Sequence, residues 1–511
     1  MANSANSVNG VQEGFEAVQP YSMHVSSRYL ELTRKKLQLA RLPGEPKTPE
    51  DRRWEQGVPK ALLEPLLDYW LEQYDWRSQE AHFNSTLPQF RTNVHLTITP
   101  SHAPTPPPLR IHFVHKRSKH KNAIPLLFCH TWPSSFVEIQ KIISALTDPH
   151  SLPSFGAGAQ QAFHVVAPSI PGFGFSDASP NADFGLKETA DVFHKVMERL
   201  GYERYVVHGS GWGFNICRAL ALGQPQSCLA IHTSNPSFKE PDFKQSPMTC
   251  LKYRIAQLVR AKVTFLSFGY VPAELHISTL TPVSRESELP SGPLETFSLQ
   301  YTLRPQTLSY SLCDSPIGLL ACILDTIHTR SLPTPLPPQP RSPFLSPAEI
   351  EMTEERPGVP AHDNDVHSPA TERPEMPLSP RESELRAMNY SWSPTEVLNW
   401  TMLQWLPGPE ASLRWLRQAC LETHPSSLLS TTYSPIPLGI SSFLARNSSS
   451  AATSPLMWGS ATSNISWIKR HQRPAALPAW EAPDLLVLDM RECFGSFLDR
   501  GIIANLPGRE T

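Results

Sequence analysis

Tyr205-Val-Val-His-Gly-Ser-Gly-Trp-Gly-Phe214 is the stretch that decides the fold of this chain. Its β-branched start reads as a strand over 205–207, and the apolar spacing that follows reads as a helix over 214–222. Gly209 and Gly213 flank Gly211 at minus and plus two, the spacing of a nucleophile elbow, G-x-Nuc-x-G. Such a sharp turn brings neighbouring backbone too close for a Cβ, which is why the flanking positions need glycine. A glycine-rich strand-to-helix turn also suits a bound phosphate. Here no Lys-Ser/Thr pair follows the last glycine and no acidic ribose-binding residue stands at a suitable spacing, so the elbow is preferred.

Around the elbow, strands and helices alternate. Residues 109–115, 124–129, 162–168 and 228–232 read as strands, and 136–146 and 184–200 as helices. This alternation predicts an α/β fold with a mostly parallel sheet and helices on both faces. Upstream, residues 20–100 read as helical hairpins rather than strands, with helices over 29–39 and 59–74. Downstream, 240–325 is helical, helices resume over 393–406 and 410–421, sheet-like segments return over 433–439 and 465–469, and 484–498 forms a final helix. The predicted layout is a core interrupted after its sixth strand by a helical lid. Its divisions are a disordered tail 1–19, an N-terminal meander 20–108, a first core part 109–240, a lid 241–330, an insertion 331–388, further lid helices 389–428 and a second core part 429–511.

Bulk properties set the class. The chain has 511 residues, 40% hydrophobic and 18% charged, as a globular protein with a sizeable core requires. A net charge of −2 gives no reason to expect nucleic acid or an anionic membrane as partner. The 53 prolines are about twice the average usage, and they concentrate with Ser and Glu in 331–388, a stretch too polar to offset its ordering entropy. The eight cysteines form no CxxC pair or His/Cys cluster, which argues against a metal site, and no cofactor is implied. Residues 1–14 lack the basic-then-apolar layout of a signal peptide, and no run of 18 apolar residues exists. A soluble, cytoplasmic protein without a membrane span is the expectation.

Several segments are similar to the microsomal-type epoxide hydrolase family. Trp54-Glu-Gln-Gly-Val-Pro59, Asp68-Tyr-Trp70, Tyr74-Asp-Trp76 and Leu87-Pro-Gln-Phe90 resemble its N-terminal meander. His130-Thr-Trp-Pro133 resembles its HGWP oxyanion loop, and Val166-Ala-Pro-Ser-Ile-Pro-Gly-Phe-Gly-Phe-Ser-Asp177 its strand-turn segment. Arg304-Pro-Gln-Thr307 and Asp314-Ser-Pro-Ile-Gly-Leu319 resemble the start of its lid, while 408–414 and 478–481 look like fungal members. The resemblance covers most of the chain outside the proline-rich insertion and implies the α/β-hydrolase fold. It also implies a two-step reaction: a carboxylate opens an epoxide to an ester, two lid tyrosines donate to the leaving oxygen, and a His–acid pair activates water. Its ligand is then a small lipophilic molecule of epoxide type, with secondary metabolism as the setting.

The same resemblance implies that the catalytic positions are vacated. The nucleophile aligns with Gly211, the base with Ala476 in Pro474-Ala-Ala-Leu477, and the acid with Arg446. The lid tyrosines align with Phe297 and Leu416, and Thr131 stands where the oxyanion loop has glycine. Trp132 and Trp212 keep backbone N–H groups for a bound oxygen and rings to line a pocket. Ser210 would sit at the elbow only in a register that puts His208 at minus two, so it is set aside. His130 and His208, near the carboxyl ends of adjacent strands, are weak acid–base candidates more simply read as hydrogen-bonded structure. Cys217 reads as core packing, Tyr301 and Tyr310 as lid residues, and Asp314 as a helix cap. Three readings follow: an epoxide hydrolase-like enzyme, an inactive ligand-binding or scaffolding relative in a metabolite or toxin pathway, or the product of a decaying gene, to which the long proline-rich insertion lends some weight.

Overall fold

Among the described residues of the computed structural model, nine strands form one sheet in the order β1-β2-β3-β5-β4-β6-β7-β8-β9. The structure describes residues 17–49, 52–96, 107–151, 160–275, 304–331, 390–444 and 454–503. The strands are β1 (Gln19–Tyr21), β2 (Gln89–Val94), β3 (Leu109–Lys116), β4 (Ile124–Cys129), β5 (Phe163–Pro168), β6 (Tyr205–Gly209), β7 (Cys228–Ser234), β8 (Ser434–Leu444) and β9 (Ser463–Pro474). Every pair from β5 through β9 is parallel, and the pairs from β1 to β5 by way of β3 are antiparallel. This is the mostly parallel α/β sheet expected. The buried runs of β4 and β6 are apolar on both faces, as central parallel strands must be.

The longer helices are α1 (Ser27–Gln38), α2 (Lys60–Glu72), α3 (Trp76–Thr86), α4 (Leu186–Arg199), α5 (Trp212–Gly223), α6 (Pro247–Leu258), α7 (Pro305–Leu312), α8 (Pro316–Ser331), α9 (Pro394–Trp405), α10 (Pro409–Glu422) and α11 (Pro483–Asp499). Side-chain direction places them on two faces. His208 of β6 lies against Phe128 of β4, and His232 of β7 lies 6.1 Å from the Phe494 ring of α11. Cys129, the next residue on β4, points the other way, to Cys217 of α5. Arg218 of α5 sends a buried guanidinium to the carbonyls of Leu429 (2.6 Å) and Thr462 (3.1 Å) and to Ser463 Oγ (3.1 Å), tying the elbow helix to the second core part.

Four expectations need correction. Residues 20–100 are not purely helical, and β1 begins inside the predicted tail. β1 is the edge strand and β2 its antiparallel neighbour, and the polar residues of both mask the alternation; in β2, Gln89, Thr92 and Val94 are buried while Phe90 stacks on Phe113 at 5.8 Å. Residues 136–146 form a 3-10 turn, Phe136–Ile139, and a short helix, Ile143–Thr147, because apolar residues are buried all round the segment. The lid follows the seventh strand rather than the sixth, and β8 and β9 run on to Leu444 and Pro474. The cap of α8 is Ser315, whose Oγ accepts from Gly318 N (3.0 Å), while the Asp314 carboxylate pairs with Lys36.

The meander is fastened to the lid by hydrogen bonds: Tyr74 Oη donates to Asn399 Oδ1 (2.8 Å), and Trp405 Nε1 to Thr33 Oγ1 (2.8 Å). The chain divides into two units, Met1–Pro333 with Tyr390–Thr511, and Thr334–Asn389; the second, within the predicted insertion, lies outside the described residues. Among the described residues no single helix is long and apolar enough to cross a membrane; α7 and α8 pass that test only as a pair, bent by 118°.

Candidate functional site

Gly211 is the turn residue between β6 and α5, with φ 53° and ψ −122°. An L side chain there is strained, whereas glycine adopts this backbone freely. The flanking glycines are demanded by contact. A Cβ on Gly209 would meet the Gly213 carbonyl carbon at 2.4 Å, and one on Gly213 would meet Cys129 O at 2.1 Å. Ser210 precedes the turn, and its carbonyl accepts from Gly213 N (2.9 Å), so the register that would make it the tip residue is not formed.

Trp212 N, the first donor after the turn, is already used. It donates to Thr131 Oγ1 at 3.1 Å, and Thr131 N in turn donates to Glu138 Oε2 at 3.0 Å. Thr131 is fully buried, so this bond is made within the protein interior. The expectation that the Trp212 N–H awaits a bound oxygen is corrected by this bond; a hydroxyl at position 131 supplies the acceptor that glycine lacks. Around the turn an aromatic group remains. The Trp212 and Trp415 rings meet edge-to-face at 6.2 Å, Phe173 meets Trp415 at 5.5 Å, and Trp415 Nε1 donates to Thr189 Oγ1 (2.9 Å). Trp132 and Leu416 are buried as well.

The loop carrying Ala476 is held by a carboxylate the sequence reading overlooked. Glu481 Oε2 accepts from Ala476 N (2.6 Å) and Leu477 N (3.1 Å), and its Oε1 accepts from Trp392 Nε1 (3.0 Å). Its signal was present: an acid at the end of the short proline-started turn Pro478–Glu481, in reach of the N–H groups just before it. Phe297, Arg446 and Tyr301 lie outside the described residues. Tyr310 is exposed at 74% and therefore takes no part.

Neither weak histidine candidate is placed as a base. His130 Nε2 accepts from Ile170 N (3.1 Å), and burial pushes its pKa down to about 3. His208, also held near 3 by burial, meets His232 Nδ1 at 2.9 Å through its own Nδ1. From there a buried chain of polar groups runs on. His232 Nε2 is 3.1 Å from Ser441 Oγ, Ser441 Oγ donates to Asp489 Oδ2 (2.6 Å), and His471 Nε2 meets the same oxygen at 2.5 Å. Ser, His and Asp together suggest a catalytic triad, but the order is wrong. The serine proton goes to the carboxylate, so the hydroxyl accepts from His232 and is no nucleophile. The chain lies on the α11 face of the sheet and is core structure. Cys217 is fully buried beside Cys129, and desolvation pushes its thiol pKa up, as its packing role requires.

Comparison with known proteins follows this geometry. The family described as epoxide hydrolase N terminus matches residues 18–139, and the one described as alpha/beta hydrolase fold matches 124–309. Between them the two matches run from residue 18 to residue 309, and together they point to epoxide hydrolases of the α/β-hydrolase fold as the proteins this chain is similar to. A putative epoxide hydrolase of Stigmatella aurantiaca is 35% identical over 312 residues, 60% of this chain and 59% of that protein. Epoxide hydrolase 1 of Oryctolagus cuniculus is 30% identical over 61% of this chain and 63% of its own length. The chain thus spans about three-fifths of the curated relatives it matches. In fold it is similar to the juvenile hormone epoxide hydrolase of Bombyx mori (TM-score 0.61, 19% identity, 96% of this chain and 97% of that one) and to the Aspergillus niger epoxide hydrolase (0.59, 21%, 95% and 97%). As an epoxide hydrolase relative, the chain has the α/β-hydrolase fold, with the elbow at Gly211.

Proposed function

We propose that this epoxide hydrolase relative binds a small lipophilic molecule of epoxide or diol type without turning it over by the family's covalent route. One observation carries the reading: the elbow residue is Gly211, and the N–H beside it is satisfied by Thr131 within the protein. Glycine offers no carboxylate to form the ester, and an oxygen developing charge would have to displace an existing hydrogen bond before it could be stabilised. Ala476, with its N–H held by Glu481, offers no imidazole to activate water. Binding is supported by the aromatic group of Phe173, Trp212 and Trp415, which presents apolar area and ring edges around the turn.

Two measurements test this. Purified protein incubated with aryl and alkyl epoxides should give diol at the rate of the buffer control. Thermal shift against the same epoxides and their diols should raise the melting temperature for at least one, by mass action. Diol formation at rates ordinary for an enzyme would overturn the first half, and a flat thermal-shift screen the second. A setting in secondary metabolism belongs to the same proposal and rests on the resemblance alone.

A further inference from the structure

We propose that residues 243–265, at the start of the lid, dock the protein on a membrane surface bearing anionic lipid headgroups. The segment buries one face of α6 and leaves the other bare. Thr249, Tyr253 and Ala256 point inward, and Tyr253 and Ala256 pack with Tyr270 and Leu275 against Met457 and Trp458. Met248, Leu251 and Leu258 share the opposite stripe at helical spacing, exposed at 63%, 51% and 84%. Beyond the helix, Val263 and Phe265 continue the apolar display, with Phe265 at 85%, and Phe243 precedes it at 69%. Six large apolar side chains within 23 residues, standing in water, call for a cover.

Charge identifies the cover. Lys244, Lys252, Arg254, Arg260 and Lys262 are all exposed in the same segment, and no Asp or Glu occurs between 243 and 273. Lys252 and Arg254 fall on either side of the apolar stripe, as cations do on helices that lie in a headgroup layer with apolar side chains below it. The net charge of −2 for the whole chain conceals this local excess. A second copy of the same face would bring these cations against one another, and a nucleic acid would leave Leu258 and Phe265 in water. A surface that is acidic outside and apolar beneath satisfies both sets of side chains. Of the acids that flank it, Glu240 and Asp242 are exposed at its start, whereas Glu274 is mostly buried and paired with Arg470 at 2.8 Å, so the five cations outnumber the two solvated carboxylates and the patch stays positive. The inference is independent of whether the elbow catalyses anything.

The test is co-sedimentation of the full chain with vesicles of phosphatidylcholine alone or with about a third phosphatidylserine. Wild type should pellet with the anionic vesicles, be released by high salt, and stay in solution with the neutral ones. L258E/F265E, at two highly exposed positions, should keep the wild-type circular dichroism and melting point yet bind at least about tenfold less. K252Q/R254Q/K262Q should lose the preference for phosphatidylserine. No pelleting with anionic vesicles, or pelleting that neither variant changes, would overturn the proposal. So would a lipid-free dimer in sedimentation velocity that L258E/F265E dissolves, because the face would then be a self-association surface.

Discussion

Lowering the pH from 7.5 to 5.5 should remove a large part of this protein's stability, through four imidazoles that the fold keeps neutral. His112, His130, His208 and His232 are buried completely. Burial depresses all four: His130 and His208 to about 3, and His112 and His232 well below the usual histidine range. His112 is further opposed by the Arg91 charge, and its ring nitrogens are committed to Ser169 Oγ (2.8 Å) and Gln89 Oε1 (3.0 Å). Such a histidine takes up no proton in the fold at pH 5.5, whereas the unfolded chain takes one up below about pH 6.5. Stability is therefore complete above that pH and is lost as pH falls towards the depressed folded value. Each site loses roughly 1.4 kcal/mol between pH 7.5 and 5.5, and four together about 5 kcal/mol, comparable with the whole stability of many domains.

Urea unfolding followed by tryptophan fluorescence at pH 7.5, 6.5 and 5.5 reads this out, with the loss steepest in the lower half of the range. His232→Asn breaks a buried hydrogen bond and should weaken the protein at pH 7.5, but it should flatten the pH dependence by about 1.4 kcal/mol. A free energy of unfolding unchanged within about 1 kcal/mol across the range would refute the reasoning. It would mean that these imidazoles take up protons in the fold as readily as in the unfolded chain, and it would return His130 and His208 to the field as acid–base groups.

Three substitutions at the elbow have separable outcomes. Thr131→Ala leaves the Trp212 N–H buried without its hydroxyl acceptor, at a cost of about 1–3 kcal/mol by urea titration; thermal shifts with oxygen-bearing ligands should increase, since the freed donor then has a ligand to serve. Gly211→Asp should lower stability by roughly 1–3 kcal/mol because of its φ, and should yield no diol, since nothing at Ala476 would release an ester; diol formation would overturn that assignment, whereas an adduct seen by intact mass spectrometry would show that the pocket still admits an epoxide. Gly213→Ala forces a Cβ onto Cys129 O and should cost about 3 kcal/mol or more, while Gly223→Ala in the same helix, with nothing within 4 Å, should be neutral or mildly stabilising in the same melts.

How far the sequence can be read depended on what kind of pattern each feature leaves. The central strands and α4, α5 and α11 were legible because burial on one or both faces imposes a period. The edge strand β1 and its neighbour β2 were not, since Gln19, Arg91 and Asn93 sit where solvent or a neighbour tolerates polar groups. The elbow was legible down to its glycines. What it does was less so, because the decisive bond joins Trp212 to Thr131 across 81 positions, and nothing local to either residue announces it. Glu481 and the chain from His208 to His471 were hidden for the same reason. Each of these side chains is ordinary alone and acquires its role only when four strands and a helix bring them together.

On the function proposed above, the elbow keeps its motif without the chemistry that motif usually signals. Gly209 and Gly213 are fixed by backbone that would occupy the space of a Cβ, so their spacing persists for reasons of packing whatever stands between them. At position 211 the requirement is a backbone with positive φ, which glycine meets better than any residue that could attack an epoxide. Thr131 and Glu481 then give internal acceptors to the Trp212 N–H at the elbow and the Ala476 N–H on its own loop, so both donors are satisfied without a ligand. An active hydrolase must hold such donors in reserve, at a cost in stability, until the transition state uses them. In this chain the donor at Trp212 is spent within the protein, and for that reason restoring a carboxylate at 211 alone should give a less stable protein and no hydrolase.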